Sequence, residues 1–100
     1  MILGQSMPSA ALLTDCYTVP VDRTAVVRII AANRTAVSSI RVSLAKAGAA
    51  DTGAQYVVFD LALSSNRAIA SDPVVLQAGD VVRVYSNTGS VSFTVDGIEE

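Results

Sequence analysis

The stretch Ile40–Ala45, with the sequence IRVSLA, decides the fold class of this chain, because large apolar side chains alternate along it with polar or small ones. Successive side chains of a β-strand point to opposite faces of a sheet, so this alternation places Ile40, Val42 and Leu44 on one face. An amphipathic helix would instead repeat its apolar positions every 3.6 residues. The stretch therefore predicts a strand with one buried face and one face toward solvent.

Short runs of the same kind recur on both sides of this stretch, separated by turn-forming residues about every eight to twelve positions, and helical patterns are nearly absent. Three further rows of alternate apolar side chains are predicted to face the core. These rows are Val57, Phe59, Leu61 and Leu63; Val82 and Val84; and Val91, Phe93 and Val95. The pattern is typical of a sandwich or barrel, and we predict an all-β protein: a single antiparallel β-sandwich of the jelly-roll or immunoglobulin-like type, with about eight strands.

The run Thr24–Ala32 is apolar on both faces except at Arg28, which predicts a central strand covered on both sides, or one whose outer face lies in a subunit contact. Asn33–Thr35, Ser64–Arg67 and Asn87–Gly89 have turn composition, and each predicts a hairpin between the strands on either side.

The first twelve residues show neither a period of two nor one of 3.6. We therefore divide the chain into a flexible N-terminal arm, residues 1–12, and a β-sandwich domain, residues 13–100. The arm contains Ile2, Leu3 and Met7, which are unusual in a solvated tail, so we expect it to order against a neighbouring subunit.

Composition favours an assembled protein. The chain has 100 residues, of which 51% are hydrophobic and only 16% charged, so one core is expected and the polar surface is thin for a free monomer. The net charge is -2 and no basic run occurs, which argues against nucleic acid as a partner. No apolar run approaches the roughly 20 residues that span a bilayer, and the first cation is Arg23, so we expect neither a membrane segment nor export.

Catalytic chemistry has little support in the sequence. The chain has no histidine, which removes the commonest general base and metal ligand. The single cysteine, Cys16, has no cation beside it in sequence, so we interpret it as a structural thiol. The carboxylates follow no catalytic or ion-binding spacing, and we interpret them as turn and terminal residues. They are Asp60, Asp72, Asp80, Asp96, Glu99 and Glu100. We expect no enzyme activity, cofactor or metal.

Three arginines, Arg28, Arg41 and Arg83, lie within predicted strands. They either pair across subunits with Asp60 or Asp96, or form an ordinary exposed face, and the second interpretation is favoured because surface ion pairs are common and weak.

Three tyrosines, Tyr17, Tyr56 and Tyr85, leave open a carbohydrate-stacking platform. They lie on separate predicted strands and no tryptophan accompanies them, so the rim of a core is the favoured interpretation.

Four phrases of the sequence combine strand and turn residues: Leu13–Pro20 with its continuation to Arg34, Tyr56–Asp60, Val74–Val84 and Val91–Glu99. Together they resemble small structural proteins of tailed bacteriophages. The resemblance covers about residues 13 to 99 and rests on strand and turn phrases. It departs at Val21–Arg23, where an Ala-Gly-Lys turn would be expected.

The resemblance implies a non-enzymatic virion component, first of all a capsid decoration or cement subunit, assembled in the host cytoplasm and carried on the capsid surface. A neck, tail accessory or fibre protein, or a small carbohydrate-binding module on the particle, are the alternatives. The expected partners are the major capsid protein or other virion subunits and further copies of the chain, with a trimer favoured on analogy. The residues we expect at the interface are Ile2, Leu3, Met7, Arg28, Ile30 and Arg41.

Overall fold

The computed structural model describes all residues, 1–100, and its regular structure is almost entirely β. Its nine strands are β1 (Ile2–Ser6), β2 (Thr14–Thr18), β3 (Ala25–Asn33), β4 (Ser38–Ala45), β5 (Tyr56–Leu63), β6 (Arg67–Ala70), β7 (Val74–Leu76), β8 (Val81–Ser86) and β9 (Val91–Glu99). The only helical segments are two 3-10 turns of three residues each, between β4 and β5. The predicted all-β class is confirmed.

The strands form two antiparallel sheets packed as a sandwich. The first sheet has the order β1-β9-β3-β6, with β7 also paired to β3, and the second has the order β2-β8-β4-β5. Strands from the two ends of the sequence therefore pair with each other, and so do the strands progressively closer to its middle: β1 pairs with β9, β2 with β8, β3 with β6 and β7, and β4 with β5. Successive pairs alternate between the two sheets, which is the topology of a jelly roll.

Strands β6 and β7 are two halves of one edge strand. Both run antiparallel to β3, β6 beside Ile30–Asn33 and β7 beside Ala25–Val27. The segment Ser71–Pro73 interrupts them, since Pro73 has no backbone N–H to give to a ladder. Counted this way the sandwich has eight strands, as predicted; nine are assigned because of the break.

The core lies between the sheets and contains most of the predicted rows. Fifteen buried hydrophobic residues form one cluster, which includes Val82 and Val84 of β8 and Val91, Phe93 and Val95 of β9. All five are 0% exposed. These two rows are confirmed, because each strand is central in its sheet and the other sheet covers its inner face.

The predicted inward row on β5 is wrong at three of its four positions. Leu63 is buried, but Val57, Phe59 and Leu61 are 51%, 57% and 42% exposed. Strand β5 lies at the edge of its sheet, its register with β4 shifts twice, and Asp60 adopts a φ of 53°. These irregularities break the alternation on which the prediction depended.

The predicted hairpins are also wrong. Asn33–Thr35, Ser64–Arg67 and Asn87–Gly89 each lead from a strand of one sheet to a strand of the other. The same turn residues can reverse the chain whether the next strand pairs in the same sheet or in the other sheet. The one hairpin that closes within a sheet is β4–β5, and it uses the ten-residue connection 46–55.

The structure corrects the predictions for the N-terminal arm and for the outer face of β3. Within the predicted arm, residues 2–6 form β1, because their backbone finds a partner in the edge of β9. Strand β3 is central, as predicted, but within this chain it is not covered on both sides: Val26 and Arg28 face outward and are exposed. The alternative, that its outer face lies in a subunit contact, stays a prediction.

Candidate functional site

The sandwich is open along one side. The strands at that side, β5 of the second sheet and β6–β7 of the first, flank a groove of about 400 Å³. Ten of its 12 lining residues are hydrophobic, and they include the core residues Ile29, Ala31, Ile40 and Val42. Clefts of this size and polarity are typical of binding sites for apolar groups. We call this feature the edge groove.

The opposite side of the sandwich is closed by β1 and β2. Leu3 and Cys16 pack there against the core cluster. Gly4 permits the contact, because a Cβ at this position would overlap the carbonyl oxygen of Cys16. The backbones of the two sheets therefore approach each other on this side, while the edges of β5 and β6–β7 remain apart.

The rim of the edge groove is apolar on one side and partly polar on the other. Val57 and Leu61 of β5 line it opposite Ile69 and Val74. At the break between β6 and β7, the Ser71 hydroxyl accepts a hydrogen bond from the Ile29 amide at 2.9 Å and donates to the carbonyl of Asp72 at 3.2 Å. These bonds hold the rim in place although the strand is interrupted there.

A charged and aromatic cluster covers the outer face of the second sheet next to β5. The Arg41 guanidinium lies 4.3 Å from the centre of the Phe59 ring and 4.6 Å from that of Tyr85. Its Nε donates to Oδ1 of Asp60 at 2.6 Å, and its terminal nitrogen donates to Oδ2 at 3.2 Å. The bond to Asp60 raises the pKa of Arg41 above its ordinary value. Cation–π contact and a two-point ion pair thus fix Phe59 and Asp60 on an exposed edge.

The tyrosines do not form the platform that we considered from sequence. Tyr85 contacts Arg41, and Tyr56, which is also close to Arg41, packs edge-on against Phe59 with the ring centres 5.1 Å apart. Tyr17 lies apart, buried, with its hydroxyl donating to Glu99 across the sheets, and burial together with Glu99 raises its pKa. Arg41 already occupies one face each of Phe59 and Tyr85, so a sugar would have to displace it in order to stack there.

The three arginines of the predicted strands, Arg28, Arg41 and Arg83, bond to carboxylates within this chain. Arg28 donates to Asp96 at 3.3 Å, and Arg83 donates to Asp15 at 3.1 Å. Hydrogen bonds from the Met1 ammonium and from Arg28 lower the pKa of Asp96. Asp60 and Asp96 are the carboxylates that the sequence suggested as partners, and both are reached inside one copy.

The six residues expected at an interface do not share one surface. Ile2, Arg28 and Ile30 lie on the outer side of the first sheet, and Ile2 is 61% exposed. Arg41 lies on the outer side of the second sheet. The remaining two are Leu3, which packs against the core, and Met7, which is exposed after the end of β1. Their role in an interface stays a prediction.

Titratable groups are engaged in structural bonds. Asp80 accepts hydrogen bonds from the amides of Ala47 and Gln77, both at 2.9 Å. Burial raises the pKa of the Cys16 thiol to about 11, which disfavours the nucleophilic thiolate. No three histidine, cysteine, aspartate or glutamate side chains come together as a metal-binding group.

Sequence reasoning missed the edge groove itself. The alternating row on this strand predicts that Val57 and Leu61 face the core, whereas in the structure they line the groove rim. The one signal that marks this strand as unusual is Asp60, a charged residue in the middle of the apolar run Tyr56–Leu63. Inward-pointing or bulge-associated charges of this kind are a device of edge strands.

The geometry defines a jelly-roll sandwich with one closed side, one open apolar side and an arginine–aromatic cluster at the open edge. The protein has no helix that is both long enough and apolar enough to cross a membrane. Comparisons with protein-family models, with curated proteins and with solved structures find no match to this chain.

Proposed function

We propose that this protein is a non-enzymatic structural subunit of a bacteriophage virion, a capsid decoration or cement protein that binds the shell and stabilises it. The observation that carries the proposal is the open edge: three apolar side chains of an edge strand are 42% to 57% exposed beside a groove that reaches the core. A free monomer gains nothing from such a surface, whereas a subunit that docks on a neighbour buries it.

The shape of this surface supports binding to a folded partner. Val57 and Leu61 at the rim present apolar area, and the Arg41–Asp60 pair beside them fixes the strand that carries them. Preorganised side chains lose little conformational freedom on binding, which favours a specific contact over loose adhesion. The sequence resemblance to phage structural proteins supplies the class of partner, a shell subunit, and repeated copies on a shell would gain avidity.

Carbohydrate binding is the less favoured function, because Arg41 covers one face each of Phe59 and Tyr85. Titration calorimetry with host glycans tests it directly: saturable heat for any glycan, lost in a Tyr85→Ala variant, would replace the proposal above.

The decisive experiment adds the purified protein to phage shells that lack it and measures co-sedimentation and the temperature of shell disruption. We expect saturable binding and a higher disruption temperature. The Val57→Asp variant places a charge on the groove rim and should lose binding, whereas Ile98→Asp places the same charge at a residue that is 58% exposed on the outer face of the first sheet and should bind normally. Equal binding by all three proteins, or binding by none, would refute the proposed function.

A further inference from the structure

The two ends of the sandwich differ in charge. One end is formed by the connections 7–13, 34–37, 64–66 and 87–90, together with the start of β6. It carries two exposed arginines, Arg34 and Arg67, and these connections contain no carboxylate. Neither arginine takes part in an ion pair with another residue, and Arg34 only approaches the sulfur of Met7, at 3.2 Å. We call this the basic end.

The other end is acidic. It is formed by the connections 19–24, 46–55 and 77–80 and by residues 99–100. This end carries two cations, Arg23 and Lys46, and five carboxylates, so its net side-chain charge is −3. The five are Asp22, Asp51, Asp80, Glu99 and Glu100. We call this the acidic end.

The flanks between the ends are nearly neutral. Their three arginines are each paired with a carboxylate: Arg28 with Asp96, Arg41 with Asp60 and Arg83 with Asp15. Asp72 is the one flank carboxylate without such a pair. The uncompensated charge of this small protein is therefore separated along its strands, positive at one end and negative at the other.

Both ends also expose large apolar side chains. At the basic end Met7, Leu12 and Val37 are 53%, 56% and 62% exposed. At the acidic end Val21, on the turn closed by the bond from the Arg23 amide to the Pro20 carbonyl, is 83% exposed. Apolar contact with charges around it is the usual composition of a protein interface, and opposite charges select the partner and its orientation.

We propose that copies of this protein associate head to tail, with the basic end of one copy docked on the acidic end of the next. A second copy is the occupant that the surface favours, because the complementary charge is present on the same molecule. A contact between two different surfaces is heterologous, so it closes into a ring or continues as an open row. This contact is separate from the edge groove and does not depend on a virion role.

The test is sedimentation velocity of the pure protein at pH 7, without shells, over a range of protein concentrations. In 0.1 M NaCl we expect reversible self-association, and in 1 M NaCl a weaker one, because the screening length falls from about 10 Å to about 3 Å. The variant Arg34→Glu/Arg67→Glu should raise the dissociation constant by about tenfold, the effect of replacing two exposed charge pairs by like-charge contacts.

A matched control separates this contact from general repulsion. The variant Arg23→Glu/Lys46→Glu makes the same change in net charge but adds it to the acidic end, so it should strengthen self-association. If both double variants weaken it equally, net charge alone is responsible and the proposal is overturned.

Mixing gives the sharpest outcome. The Asp22→Lys/Glu100→Lys variant should not associate with itself, since both of its ends are then basic, but it should associate with the Arg34→Glu/Arg67→Glu variant. Failure of this mixed pair would overturn the head-to-tail contact. If Arg34→Glu/Arg67→Glu loses shell binding while its self-association stays intact, the basic end faces the shell and our assignment of a second copy is wrong.

Discussion

Replacement of Asn33 should destabilise the protein more than any other single change to a polar side chain, because this amide joins three crossings between the sheets. Asn33 is 3% exposed at the end of β3. Its Nδ2 donates to the carbonyls of Ala36 at 2.9 Å and Leu63 at 2.8 Å, and its Oδ1 accepts from the Ser90 hydroxyl at 2.9 Å. These partners belong to, or border, the connections β3–β4, β5–β6 and β8–β9.

The size of the effect follows from these three bonds. A buried hydrogen bond contributes about 1 kcal/mol net, so Asn33→Ala should lower the free energy of unfolding by about 3 kcal/mol. For a domain of this length that is a large part of a total of about 5 to 15 kcal/mol, and it corresponds to a fall in Tm of roughly 12 to 24 °C. Urea and thermal unfolding followed by far-UV circular dichroism measure it. Asn87→Ala is the control, since the Asn87 side chain accepts one exposed bond, from the Ser39 amide, and it should lose about 1 kcal/mol or less.

The isosteric variant Asn33→Asp adds a dependence on pH. Its carboxylate would face the two carbonyl oxygens that accept hydrogen bonds from the Asn33 amide in the native protein. This disfavours the ionised form and raises the pKa of the new side chain in the folded state. An acid whose pKa is higher in the folded than in the unfolded state destabilises the folded protein progressively as the pH rises above the unfolded pKa, which is about 3.9 for aspartate. Relative to the native chain, this variant should therefore lose more stability at pH 7 than at pH 4. Our account of Asn33 would be refuted by an Asn33→Ala variant within about 1 kcal/mol of the native chain, or by equal losses of Asn33→Asp at both pH values.

Three further predictions concern the packing, the thiol and the arginine cluster. Gly97→Ala should lower the free energy of unfolding in urea by roughly 1–3 kcal/mol or more, because the added Cβ would overlap the Val26 carbonyl and separate β9 from β3. The control Gly53→Ala should be near neutral, because no atom lies within 4 Å of its added Cβ, and similar losses at both sites would contradict the prediction. Cys16, with a pKa of about 11 against an ordinary 9.0, should react with a thiol reagent at pH 8 about 100-fold more slowly in the folded than in the unfolded protein, and equal rates would show that the thiol is not shielded. Arg41→Ala should lower unfolding stability only slightly, because the ion pair and the cation–π contact there are partly solvated, but it should increase the mobility of the Phe59 ring in NMR relaxation. Unchanged mobility of the Phe59 ring would show that Arg41 does not hold this ring in place.

Much of the fold follows from local patterns in the sequence. The period of two along β8 and β9 fixes which side chains point inward, and the predicted strand limits at Val81–Ser86 coincide with β8. Strands β8 and β9 are central, so nothing but the alternating pattern decides their faces. On β4 the prediction holds for Ile40 and Val42, but Ser43 and Ala45, which the alternation predicts to face solvent, are buried. The candidate site is harder to predict from the sequence. The sequence indicates Arg41 as a residue of interest, but it predicts that Phe59, the ring that Arg41 contacts, faces the core.

The sequence by itself determined that this chain forms a two-sided β-structure with one apolar layer, because alternation and turn composition are properties of neighbouring residues. Only the tertiary structure decided that the predicted hairpins are crossings between sheets, that residues 2–6 are a strand beside β9, and that β5 borders an open groove. The reason is physical: a turn reverses the chain without specifying the sheet in which the next strand pairs, and a jelly roll pairs strands from opposite ends of the sequence. Whether an apolar side chain is buried then depends on what covers it, and at an edge strand no covering neighbour is encoded locally.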